Sequence, residues 1–125
     1  MKKLLLLFSL TIITISCSSG DEDSYGIFNP PAWIQGVWKD EASGATLTFT
    51  NHDIKYTTNG ESFSYSRQAY KFSETLAQEI SSTPNLYVSD FHQGDKGFIF
   101  RFNFSKTSNT RMHSKGHLPG NYVKQ

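Results

Sequence analysis

The chain has one cysteine in 125 residues, Cys17, so no disulfide can form within it. That excludes the cross-linked framework by which small exported domains often offset a thin core. It has no surplus of either charge, with 12 Lys and Arg against 11 Asp and Glu. A nucleic-acid binder needs a basic excess to release counterions from phosphates, and adhesion to anionic lipid by charge alone needs the same. No apolar run reaches the roughly 20 residues that a membrane-spanning helix requires. The longest uncharged, mostly apolar run is Leu4–Ile15, of twelve residues.

That run has a different use. Met1-Lys2-Lys3 is a short positive leader and Leu4–Ile15 has the length of a signal-peptide core. The segment closes on Thr14-Ile15-Ser16-Cys17. This resembles the lipobox of bacterial lipoproteins. The resemblance implies a signal peptide over 1–16, a diacylglyceryl group on the Cys17 sulfur, cleavage before Cys17 and acylation of the new amino group. One acyl chain anchors weakly, while two or more hold a protein stably on a membrane.

Ser18-Ser19-Gly20-Asp21-Glu22-Asp23 follows, small and acidic, with the composition of a disordered spacer. It resembles the acidic export signal that follows the lipidated cysteine in one group of Gram-negative bacteria. Ser18 also differs from the Asp of lipoproteins kept at the inner membrane. The expected location is therefore the outer membrane, with the periplasmic face and the cell surface both open. Residues 17–32 are expected to be a tether, which random-coil scaling puts at about 20 Å. Asn29-Pro30-Pro31 stiffens its end and marks a boundary before a single domain over 33–125.

With no disulfide, the core must come from large side chains. After residues 1–16, nine Phe, six Tyr and two Trp remain. Their arrangement predicts an all-β fold. Ala45–Thr50 places Leu47 and Phe49 on one face and three Thr on the other. Ile54, Tyr56 and Thr58 alternate, Asn59-Gly60 is a two-residue hairpin turn, and Phe63 and Tyr65 alternate with serines. For 67–81 both a helix opened by Thr75 and a strand bearing Leu76 and Ile80 fit; the favoured reading is a helical turn near 67–73 and a strand near 75–81. Leu86–His92 reads as a strand. Phe98, Phe100, Phe102 and Phe104 alternate strictly, which excludes a helix and is the strongest core signal in the chain. Short strands at 111–113 and 121–124 complete an antiparallel up-and-down meander of eight or so strands, which closes naturally into a small barrel.

Pro31-Ala32-Trp33-Ile34-Gln35-Gly36-Val37-Trp38 resembles the opening of lipocalin-like domains, where a Gly-x-Trp element sits on the first strand. Tyr122-Val123-Lys124 resembles the last strand of small bacterial lipoproteins of this kind. The resemblance implies a lipocalin-like barrel with Trp38 closing its bottom, and no assigned activity.

No catalytic constellation emerges. Asp90 and His92 share a strand face but lack a third member. His113 and His117 would share a helix face, yet Gly116 and Pro119 oppose a helix there. On a strand they would stand roughly 13 Å apart, too far for one zinc. Solvated loop histidines are expected, with no metal and no cofactor. Arg101, opposite the Phe stripe, is expected in solvent with its stem on the sheet.

The expected function is a non-enzymatic, membrane-anchored binding module for a small apolar ligand. Its candidate contacts are Phe98, Phe100, Phe102, Phe104, Tyr56, Tyr65 and Trp38. The stripe of Phe can line a cavity or fill the interior, and both remain open at this stage. The alternative is an interaction protein, an accessory or inhibitor subunit of a cell-envelope assembly.

Overall fold

Alternating side chains dominate the computed structural model, which describes residues 26–71, 75–94 and 97–125. Cys17, the lipobox and the acidic run lie outside the described residues. Nine antiparallel strands are present among the described residues: β1 Gly36–Asp40, β2 Thr46–Phe49, β3 Ile54–Thr58, β4 Glu61–Ser64, β5 Leu76–Ser82, β6 Leu86–Gln93, β7 Phe98–Ser108, β8 Arg111–Ser114 and β9 Gly120–Lys124. One helix, α1, spans Tyr65–Lys71, and a 3-10 turn spans Ala32–Ile34. No helix among the described residues is long and apolar enough to cross a membrane.

The strands form one sheet in the order β4-β3-β2-β1-β9-β8-β7-β6-β5. Each neighbour in the sheet is a neighbour in sequence except at β1 and β9, where first and last strand meet. The meander curls into a half-barrel. Its two outer strands, β4 and β5, are consecutive in the chain and are joined through α1.

Local chemistry explains the elements. Asn59 and Gly60 both carry positive φ, at 54° and 81°, as the two-residue turn between β3 and β4 demands. Ser64 starts α1 by accepting a hydrogen bond from the Arg67 N–H at 3.0 Å, an N-cap that places the helix two residues earlier than expected. Asp53 is buried beneath it. Its carboxylate accepts from the N–H groups of Ile54 and Ser66 and from the Ser64 hydroxyl.

The core lies on the concave face. Trp38, Leu47, Ile54, Tyr87, Phe102 and Phe104 are fully enclosed, with Phe49, Phe91, Met112 and Tyr122 almost so. At one end Trp38 donates its Nε1–H to the Ile34 carbonyl at 2.7 Å and meets Trp33 edge-on. The Lys124 ammonium stands 5.3 Å from the Trp38 ring, so the first and last strands also meet through a cation–π contact.

The packed chain begins ahead of Trp33. Residues 26–32, expected as the end of a flexible tether, are held from Ile27 onward. The Ile27 N–H donates to the Ser66 hydroxyl and the Phe28 N–H to the His52 carbonyl, both at 3.1 Å. Phe28 is only 2 % exposed. One Phe ring buries enough area to draw this stretch into the interior.

Candidate functional site

Strand β7 carries the four Phe on one face, and their exposure changes along it. Phe104 and Phe102 are fully buried, Phe100 is half-buried, and Phe98 is 58 % exposed. The stripe thus runs from a filled interior to an open rim.

The interior end is filled by rings. Phe104 meets Phe49 edge-on at 5.1 Å and stacks on Phe102 at 6.0 Å. Phe28 fills the level above, stacked on Phe91 and edge-on to Phe102 at 5.8 Å. Tyr65, at the start of α1, reaches the same place and packs edge-on against Phe91 and Phe102.

The rim is built differently. His117 stacks on Phe100 with centroids 4.7 Å apart and meets Phe102 edge-on. Its Nε2 lies 3.0 Å from the Tyr65 hydroxyl. Phe63, on the edge strand β4, packs edge-on against Tyr65 at 4.8 Å and keeps 42 % of its surface in solvent. Tyr56 pairs with Phe63 across β3 and β4, so the two share a face. A continuous band of rings therefore runs Phe63, Tyr65, His117, Phe100, with Phe98 two residues further along β7.

The loop after β8 carries His117 into this band. Its backbone N–H donates to the Arg101 carbonyl at 2.7 Å, and the Lys115 N–H donates to Asn103. Gly116 lies so close to β7 that a Cβ would collide with the Arg101 carbonyl, so only glycine fits there. Burial pushes the imidazole of His117 below its ordinary pKa of 6.5. Burial, helped by Tyr56, pushes the Tyr65 phenol up to about 12. Both rings are therefore uncharged at neutral pH.

The expected contacts thus separate. Trp38, Phe102 and Phe104 belong to the packed interior. Phe98 and Phe100 lie at the rim, Tyr65 links rim and interior, and Tyr56 is half-buried beside them. Phe28, Phe63, Phe91 and His117 are additions that the sequence did not single out for this site. The parity of Phe63 with Tyr56 across the Asn59-Gly60 turn was a usable signal. His117 had none, since its place depends on a loop folding back over β7.

His117 is also a correction, because a solvated loop position was expected. His113 is exposed and bonds Asn121 at 2.8 Å. Among the described residues no three of His, Cys, Asp and Glu gather as a metal site. On the convex face Asp90 pairs with Arg101 through two hydrogen bonds, at 2.7 and 2.8 Å. Hydrogen bonding to the guanidinium holds the Asp90 carboxyl below its usual range. Arg101 is 55 % exposed at its side chain, as its position opposite the Phe stripe implied.

Comparison with known proteins gives no matching family model, no matching curated protein and no matching solved structure.

Proposed function

We propose that this chain is a bacterial lipoprotein, acylated at Cys17 and held at the outer membrane, whose lipocalin-like domain binds a small apolar ligand without catalysing a reaction. The observation that carries the binding reading is the ring band Phe63, Tyr65, His117 and Phe100. It is concave and aromatic, and it offers few polar groups, as small-molecule sites do. Phe98 and Phe63 leave large apolar surface in water there, which a ligand would cover. Trp38 and Lys124, which belong to the two stretches that carry the lipocalin-like resemblance, meet where the first and last strands pair. The lipobox residues carry the anchor reading.

Two measurements test this. Native mass spectrometry of the full chain purified from its own host should show a small molecule bound to the wild type and lost from Phe100→Asp. A bare mass in the wild type counts against the ligand. Labelling of growing cells with a fatty acid should mark the wild type and leave Cys17→Ser unmarked; equal labelling of both removes the anchor.

A second reading has its own observation. Among the described residues strand β5 is an edge of the sheet, with Leu76 and Ile80 exposed, and Ile99 is exposed on the same sheet. Free edges accept strands from partners. A photo-crosslinking residue at Leu76 that captures one envelope protein in the host, while one at Phe98 captures none, would favour an accessory subunit.

A further inference from the structure

Three features of the rim set what it can hold, given that the ligand reading above is right. The first is depth. Phe28 packs between Phe91 and Phe102, and Tyr65 closes on the same two rings. The interior below Phe100 is occupied, so a long flexible chain has no path inward. The second is the wall. Along the band the rings of Phe63 and Tyr65 meet at 84°, Tyr65 and His117 at 89°, and His117 and Phe100 at 26°, presenting both ring faces and ring edges. A flat ring gains from both arrangements beyond the area it buries, and an aliphatic chain does not. The third is polar. Among the described residues, Tyr65 is the one side chain that hydrogen-bonds the His117 ring. In the tautomer in which the phenol donates to Nε2, the ring proton sits on Nδ1 and stays available as a donor.

We propose that the rim binds a compact planar aromatic molecule carrying one hydrogen-bond acceptor, its ring packed among Phe63, Phe98 and Phe100 and its acceptor on the Nδ1–H of His117. The site selects against long acyl chains because Phe28 occupies the space they would need. The uncharged state of His117 agrees with this, since a neutral imidazole both stacks on Phe100 and keeps one donor.

The test uses the full-length chain in phospholipid nanodiscs and three probes: quinoline, which is planar with one acceptor, naphthalene, which is planar with none, and 1-decanol. Site-resolved NMR shifts of the Phe98, Phe100 and His117 rings report binding at the rim separately from partition into lipid. Quinoline should bind more tightly than naphthalene by about threefold to tenfold, the worth of one net hydrogen bond. Decanol should be the weakest. In His117→Phe, which keeps a ring on Phe100, quinoline should fall to the level of naphthalene.

Equal affinities for quinoline and naphthalene in the wild type overturn the role of His117, with no variant needed. Decanol binding as tightly as quinoline and shifting Phe102 and Phe104 overturns the proposal while leaving an apolar-ligand module in place. No shift of the rim rings with any probe overturns both.

Discussion

Phe28 stacks on Phe91 with ring centroids 6.0 Å apart, tying a segment ahead of the first strand to the middle of β6. The contact makes an irregular stretch of chain part of the core. Phe28→Ala should therefore behave as a core truncation and destabilise by about 3–5 kcal/mol. A urea titration followed by aromatic circular dichroism measures this. A loss under 1 kcal/mol would mean that the segment lies on the surface in solution.

Asp53 makes a second prediction. It accepts from two backbone N–H groups and one hydroxyl at the junction of β3 with α1. Asp53→Ala strands those donors in a buried place, at about 1–3 kcal/mol for each unsatisfied group. The protein should lose at least about 2 kcal/mol, and hydrogen exchange should speed up in α1 before it does in β7. Uniform exchange across both elements would show that the carboxylate does not hold the helix.

Acid should weaken the fold through His117. Burial lowers its pKa in the folded state, so the unfolded chain takes up the proton first as pH falls below 6.5. The contribution is complete above that value and is lost as pH falls through the folded value. The urea midpoint should therefore drop between pH 7 and pH 5, and the slope should flatten in His117→Phe. An unchanged slope would place the effect on other groups.

The alkaline limb has the opposite sign. Tyr65 and Tyr87 are pushed up to about 12, chiefly by burial. Their contribution is whole below pH 10, where the phenols of the unfolded chain begin to ionise, and it is lost as pH climbs toward 12. The NMR ring signals of Tyr65 and Tyr87 should report ionisation late and together with unfolding. A shift of either signal near pH 10 in the folded protein would contradict the enclosed positions of both rings.

The hairpin turn allows a fifth test. Gly60 sits at φ 81° with nothing near its missing side chain. Gly60→Ala should cost about 1–2 kcal/mol through backbone conformation alone. A larger loss in a thermal melt would mean that a contact had been missed.

Alternation made most of the sheet readable. Leu47 and Phe49 and the stripe from Phe98 to Phe104 specify local structure through period two, and Asn59-Gly60 through its turn, so β2, β3, β4 and β7 are legible in the sequence. What stayed hidden is non-local. Phe28 lies in a stretch without periodicity, and its burial depends on Phe91 and Phe102, far away in sequence. His117 follows a glycine and stands two residues before a proline, which reads as loop; the backbone bonds from Lys115 to Asn103 and from His117 to Arg101 bring it back over the sheet. The gradient of exposure along the Phe stripe was equally invisible. It depends on how far β7 runs past β8, whose pairing with it stops at Phe104 while β6 accompanies it to Phe98, a matter of register between strands.

The union of β1 with β9 has a consequence for how the molecule is made. Strands β1–β4 and β5–β9 are two continuous hairpin ladders, and the clasp between them is the final strand. Until Tyr122 and Lys124 reach Asp40 and Trp38, each ladder exposes the oily side it will later share, so the sheet closes only through a pairing of strands far apart in the chain, the kind of contact that forms slowly.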